Sequence, residues 1–390
     1  MDKWNMVKLS DVFTLQMGKT PSRNNPDYWN GNHKWLSIAD FGMNGKYINK
    51  TKECITDAAV AESGIKATPH NTVVMSFKLS IGKTAITVKD IFTNEAIMSF
   101  IDKGTYPIDV NYIYHLFSGK DWSKGTNKAV MGTTLNKATL SQITIPLPPI
   151  ESQYQIADNL EKVSKLIDIC NTILNKLDIL VKSRFVEMFG DPILNPKGWE
   201  MTTIGEIVTE VKYGTSRPAI DGGKYAYLRM NNLTYDGYLD LADLKRIDIP
   251  DSEIEKCIVR KGDVLFNRTN SIELVGKTCV FDKDEDMIIA GYIIRVRLKP
   301  VMLPLIMSYF MNTDALKKKL RSMAKGAVNQ ANINAQELKA IKIYLPPTDL
   351  QQQFADFVAQ TDKSKYCLVG EQILGKAEML IKVLKQEYFG

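Results

Sequence analysis

Histidine is scarce in this chain. Its 390 residues hold three, His33, His70 and His115, and none lies near another. A histidine zinc site or an imidazole acid–base pair needs partners that converge, so neither is expected. The cysteines are few and scattered: Cys54, Cys170, Cys257, Cys279 and Cys367 are odd in number and form no C-x-x-C pair. They read as reduced thiols of a cytoplasmic protein, not as a disulfide or metal framework. Long apolar runs are missing too. The best, 287–294, is interrupted by Gly291, and the opening MDKWNMVKLS has no apolar core. Neither a membrane span nor export is expected. No Asn-Pro-Pro-[Tyr/Phe] or Asp-Pro-Pro-Tyr occurs, and no glycine-rich cofactor loop follows a strand. The acidic stretch PDSEIEK (250–256) sits on one short segment and reads as a solvated turn, since a metal needs carboxylates that converge. No catalytic or metal-ligating residue is therefore expected.

What is present repeats. Residues 81–86 read IGKTAI and 275–280 read VGKTCV. Both resemble the end of a phosphate-binding loop, G-x-x-x-x-G-K-[ST], but the first glycine is replaced by Phe77 and by Ser271. Without it the backbone cannot curl around a phosphate, so each reads as a turn entering a β-branched strand. The rest of the chain follows suit. WNMVKLSDVF (from Trp4) matches WEMTTIGEIV (from Trp199), and GKTPS at Gly18 matches GTSRP at Gly214. WLSIADF (35–41) matches YLRMNNL (227–233), NTVVMSF (71–77) matches GDVLFNR (262–268), and AIMSF (96–100) matches YIIRV (292–296). TLNKATLSQITIPLPP (134–149) matches NINAQELKAIKIYLPP (332–347), and EMFG (187–190) matches EYFG (387–390). The matches keep one order, so the chain reads as globule, helix, globule, helix, in segments 1–147, 148–190, 191–345 and 346–390. Short β-branched runs such as TVVMSF, TAITV, GYIIRVRL and AIKIYL read as strands, and NYIYHLFSG (111–119) and LIMSYFMNTDALKKKL (305–320) as helices. The fold class is α+β.

Beyond the first Pro-Pro, apolar residues fall at Ile156, Leu160, Val163, Ile167, Cys170, Leu174, Leu177 and Val181. The alternating spacing of four and three is a heptad seam, which keeps one stripe facing a partner helix. In the second helix, about 350–389, Val358, Tyr366, Val369, Ile373, Leu380 and Leu384 give a less regular stripe, interrupted by Gly370 and Gly375. The expected partner of each helix is the other. An antiparallel pair would form a rod of roughly 50 Å, at ~1.5 Å per residue, between the globules. Two similar readers with a net charge of +6 suit a split target on DNA.

The arrangement resembles the specificity (S) subunit of type I restriction-modification systems. The boundaries IPLPPIESQYQIADNL (145–160) and IYLPPTDLQQQFADFV (343–358) carry the likeness. The Trp-x-x-x-x-[Leu/Ile] starts and the Phe-Gly endings add to it, over the whole chain. The resemblance implies two target recognition domains joined by two long helices in a pseudo-twofold antiparallel coiled coil. It also implies double-stranded DNA and two modification (methyltransferase) subunits as partners. Those subunits carry S-adenosylmethionine, the chain itself holds no cofactor, and a restriction subunit can join. The chain departs from the family pattern where a Glu-Gln pair is usual, and loop 326–333 is longer than 132–135. Other readings remain open: a recognition subunit of a different restriction-modification architecture, a nucleotide-binding enzyme, or a protein–protein scaffold without DNA.

Base reading calls for Arg, Asn, Gln and Lys in loops, and phosphate contact for Lys and Arg. The strongest candidates are Arg229, Asn231 and Asn232 in RMNN, and Asn267, Arg268 and Asn270 in NRTN. Arg217, Asn329 and Gln330 are weaker, and Lys318 in KKKLR suits phosphate. In the first globule the matching places are SIAD (37–40) and FKLS (77–80), which supplies Lys78; Lys19, Arg23 and Lys128 lie in further basic loops.

Overall fold

The computed structural model describes residues 4–78, 80–122, 135–327, 330–369 and 373–389; side chains 325–330 and that of Val369 lie outside the description. The chain divides into two compact units, Met1–Cys170 with Val369–Gly390, and Asn171–Leu368. Each unit therefore takes half of the long helix Ile150–Phe189 and part of the C-terminal helical region.

The first unit's strands are β1 (Met6–Lys8), β2 (Phe13–Met17), β3 (Trp29–Leu36), β4 (Tyr47–Ile48), β5 (Glu53–Ile55), β6 (Val73–Ser76), β7 (Thr84–Thr87), β8 (Phe92–Thr93), β9 (Ile97–Asp102) and β10 (Thr144–Pro146). They form sheets ordered β2-β9-β6-β7-β4 and β5-β3-β8, with β1 paired to β10. The second unit holds β11 (Glu200–Thr203), β12 (Val208–Tyr213), β13 (Tyr225–Leu228), β14 (Lys245–Ile247), β15 (Ile258–Val259), β16 (Val264–Asn267), β17 (Thr269–Asn270), β18 (Thr278–Val280), β19 (Met287–Ile289), β20 (Ile293–Leu298), β21 (Lys325–Ala327), β22 (Gln330–Asn332) and β23 (Lys342–Leu345). Its sheets are β12-β20-β16-β18, β14-β13-β19-β15, β11-β23 and a small β17-β22-β21.

Placed side by side, β2-β9-β6-β7 repeats as β12-β20-β16-β18, β5-β3-β8 as β14-β13-β19, and β1-β10 as β11-β23. The duplication read from the sequence is thus a duplication of topology. Strands β6 and β16 are buried along their whole length, which is why they read as continuous apolar runs instead of alternating ones. The glycines of the two Gly/Ser/Thr/Pro turns show the same constraint. A Cβ on Gly18 would lie 2.1 Å from the Thr93 carbonyl, and one on Gly214 2.1 Å from that of Ile289. Only glycine allows the backbone so close to the neighbouring strand.

The Pro-Pro boundaries are built alike. Gln153 and Gln351, both fully buried, each clamp one. Gln153 Nε2 donates to Pro148 and Pro107 carbonyls, and its Oε1 accepts from Asp109 N–H. Gln351 Nε2 donates to Pro346 and Val301, and its Oε1 accepts from Leu303 N–H. These bonds meet backbone groups that would otherwise be stranded without water.

Helix pairing is read within each unit. In the second, Asp178 binds Lys365 at 2.6 Å, while Phe185 and Phe189 pack on Phe354 at 5.4 and 5.6 Å between ring centroids. Numbers rise along one helix as they fall along the other, so the pair is antiparallel. In the first unit Ile156 and Leu160 share a core with Ile381, Leu384 and Tyr388, and Phe389 meets Tyr112 edge-on at 5.7 Å. The first-helix seam holds throughout: Ile156, Leu160, Cys170 and Val181 are buried, and Val163, Ile167, Leu174 and Leu177 half-buried. Its two ends belong to globular cores as well as to the helix pair.

The second helix requires a correction. It is two helices, Thr348–Val369 and Leu374–Phe389. Ile373 and Leu380 are 40% and 47% exposed, and Tyr366 is outermost. The expected Val358 and Leu384 do face inward, in a stripe of buried Phe354, Val358, Thr361, Leu374 and Ala377 and half-buried Lys365, Ile381, Leu384 and Tyr388. A search for large apolar residues skips a threonine, a lysine and an alanine and slides onto the adjacent outward row. The acidic stretch is also corrected: residues Asp251–Cys257 form a helix, not a turn, and its carboxylates hold Arg217 and Arg260.

Candidate nucleic-acid interface

The two Gly-Lys-Thr segments are hairpin turns between β6 and β7 and between β16 and β18. Gly82 and Gly276 have φ of 91° and 84°, and their N–H groups bond back to Ser76 and Asn267 carbonyls. Lys277 is buried and donates to the Met230 carbonyl at 2.7 Å, and burial lowers its pKa. Neither the backbone donors nor this lysine are free to hold a phosphate. Among the described residues no three His, Cys, Asp or Glu side chains converge as metal ligands. His115 is buried, and burial with the nearby Lys46 and Lys385 pushes its imidazole down to about 4, against the pull of Glu161. It is a neutral core residue.

Several amides proposed as readers are spent on the fold. Asn232 is buried; it accepts from Arg229 N–H and donates to the Asp240 carbonyl. The matching Asp40 caps Ser37 in the same way, so this position is a structural cap in both globules. Asn267, fully buried, donates to the Thr269 and Tyr292 carbonyls. Asn270 donates to Asn267 and accepts from Ser271 N–H. These three are corrected from base readers to turn-builders. Short polar side chains in such loops compete for nearby backbone groups, and here the backbone wins.

The arginines divide. Arg217 holds Glu253 at 2.6 Å and Arg229 holds Asp243 at 2.7 Å. In the first unit Arg23 binds Glu53 with both terminal nitrogens and lies 3.8 Å from the Trp29 ring centroid. Arg268 lies 4.9 Å from the Tyr213 ring centroid. Asn231, Lys19, Lys78 and Lys318 are exposed. Lys128 and Asn329 lie outside the described residues, as does the side chain of Gln330. Within KKKLR, Lys317 is buried against Tyr235, donating to its carbonyl, and burial lowers it to about 8; Arg321 binds the Tyr235 hydroxyl at 2.6 Å. That leaves Lys318 as the most exposed cation of the run, with Lys319 half-buried.

Sequence reasoning missed a pair of clefts. In the second unit about 520 Å³ is enclosed between loop 235–239, Tyr309, Asn312 and the long-helix residues Lys182 and Val186. In the first about 530 Å³ lies between Asn44, Lys46, Tyr114 and long-helix residues Glu161 and Asp168. Each sits where a Gly-bearing turn (Gly45, Gly237) faces a long helix, so a search for repeated turns beside the seam would have found them.

A family model described as the type I restriction modification DNA specificity domain matches residues 1–178 and again 196–374. The chain belongs to this family. Its relatives include the type I restriction enzyme MjaIX specificity subunit of Methanocaldococcus jannaschii, 28% identical over 62% of this chain and 60% of that one. The EcoKI specificity subunit of Escherichia coli K12 is 23% identical over 92% of this chain and 82% of that one. A chain from a structural study of complex assembly and conformational transition in a type I system superposes with TM-score 0.62 at 16% identity, covering all of this chain and 98% of that one. The S subunit from M. genitalium gives 0.50 at 15% identity, covering 99% and 96%. At these identities the likeness is one of fold. No helix among the described residues is long and apolar enough to cross a membrane.

Proposed function

We propose that this specificity-family chain reads a bipartite DNA target, one half with each globule. It positions methyltransferase subunits that bring S-adenosylmethionine and methylate adenine, in an assembly that a restriction subunit can join. The observation that supports this most is the duplicated topology with diverged loops: two frames alike in strand order present different side chains at matching positions. Genome-wide mapping of methylated adenine in cells with and without the chain tests it. Loss of one split motif is the expected result; unchanged methylation would sink the reading.

The partner surface follows from what remains uncovered. In the first unit Leu166, Ile169, Met379, Leu380 and Val383 are exposed, and in the second Ile173, Ile179, Leu180, Val186 and Tyr366. Exposed large apolar residues gathered on helices already paired along another stripe support protein docking. Each unit has exposed apolar residues on its helices and a cleft against the long helix, which supports two copies of a methyltransferase partner. Met379→Asp with Leu180→Asp should leave folding within about 0.5 kcal/mol, because both sites are exposed. It should remove the partner from the complex, as read by its mass; a complex of unaltered mass counts against docking there.

Lys318 carries a separate expectation. Lys318→Ala should weaken DNA binding by the assembled complex evenly across sequences and reduce the salt slope by about 1, the signature of one lost phosphate contact. Titration at several salt concentrations measures it, and an unchanged slope removes Lys318 from the interface.

A further inference from the structure

Every other arginine of this chain is bonded to a carboxylate, a backbone carbonyl or a tyrosine hydroxyl. Arg268 is not. Among the described residues its guanidinium has no acceptor, and its Nε is shielded from solvent without one. The group is nevertheless held in place. Arg268 N–H donates to the Tyr292 carbonyl at 2.9 Å, and the Arg268 carbonyl accepts from Ile333 N–H at 2.9 Å. The ring it lies against is fixed too, because Tyr213 hydroxyl accepts from Ala335 N–H at 2.8 Å. A planar fork of donors, anchored at its base and unpaired at its tip, is an incomplete interaction: a shielded charged donor is costly to leave unmet.

The first globule shows what stands at the same place. Phe77 N–H donates to the Ala96 carbonyl as Arg268 N–H does to that of Tyr292. Phe77 is buried in the core. The next residue, Lys78, corresponds to Thr269, whose hydroxyl bonds Asn332. So the arginine has no basic counterpart at its own position. Phosphates are the same in both halves of a DNA target, and twin readers have reason to keep phosphate contacts at matching positions. Bases differ between halves, and there twin readers diverge.

Resting on the DNA reading above, we infer that Arg268 reads a guanine in the half-site of the second globule. Its two donors meet O6 and N7 in the major groove. The test uses the complex of the full chain with its methyltransferase partner, on duplexes carrying the methylated motif. Each guanine of the second half-site is replaced in turn by 7-deazaguanine, which pairs normally but lacks the N7 acceptor. At one position wild-type affinity should fall about tenfold, within the range of a base-specific contact. Arg268→Gln should bind the unmodified duplex about tenfold more weakly and be indifferent to that replacement. Arg268→Lys, which keeps the charge but not the fork, should behave as Arg268→Gln does. Three results overturn the inference: no sensitive guanine, equal sensitivity in wild type and Arg268→Gln, or full affinity in Arg268→Lys, which assigns the arginine to phosphate. A wild-type complex without sequence-selective binding sinks the DNA reading itself, and that is known before any variant is made.

Discussion

Phe354→Ala is expected to lower the stability of the second unit by about 3–5 kcal/mol, the range for deleting a buried aromatic ring. Phe354 is fully buried. It meets Tyr309 at 5.1 Å as well as Phe185 and Phe189, with interplanar angles of 83°, 73° and 76°. Edge-to-face contacts of this kind add about 0.5–1.5 kcal/mol per pair beyond burial. The three neighbours sit on two elements, the long helix and helix Pro304–Met311, so the ring ties the second helical region to the first and to the globule at once. Removing it leaves a cavity that neither element can close without moving off the other. Phe185→Ala should cost a similar amount, and the double variant less than the sum, because each ring is part of the other's surroundings. Urea unfolding of the four proteins measures the coupling. Strict additivity would mean the two rings do not meet, and the antiparallel pairing with them.

The same ring marks where the sequence is a good guide and where it fails. The first helix announces its seam because every position in it is apolar, down to Cys170. The second carries Thr361, Lys365 and Ala377 in the seam, so the large apolar residues 366, 373 and 380 draw the eye to the wrong face. Lys365 belongs inside because Asp178 waits for it across the pair, and no local pattern reveals a partner so far away in sequence. The repeat was legible because strand order is held by buried runs that tolerate little change, such as VVMS against VLFN. The loop readers were not. Asn232 and Asn267 have the side chains of base readers and the surroundings of caps, and only the carbonyls beside them decide. Arg268 and Arg217 look alike in sequence; a carboxylate on helix Asp251–Cys257 takes one and leaves the other.

Glu210→Ala should destabilise the second unit by about 3–5 kcal/mol at neutral pH, because it strands a charge in the interior. Arg295 is fully buried in the central strand β20. Its Nη1 donates to the Ile258 carbonyl on β15, in the other sheet, and its Nη2 to Glu210 Oε2 at 2.7 Å. Arg297 shares that oxygen at 3.0 Å and binds Asp263 at 2.8 Å. Arg295 is thus a polar tie between the two sheets, and Glu210 is the only carboxylate bound to it among the described residues. Burial alone would raise the Glu210 pKa, but Lys212, Arg295 and Arg297 together hold it below its usual 4.5. Its contribution is therefore complete above pH 4.5 and is lost as pH falls through the lowered value. The gap between wild type and Glu210→Ala should be widest near pH 7 and narrow in acid. The double variant Glu210→Ala with Arg295→Met removes both charges and should recover most of the loss, since an apolar side chain needs no partner there. Unfolding free energies at pH 7 and in acid measure all three. A Glu210→Ala protein within about 1 kcal/mol of wild type at pH 7 would show that the carbonyls of Ile258 and Glu255 satisfy Arg295 unaided, and that the Glu210 carboxylate is not what holds the two sheets together.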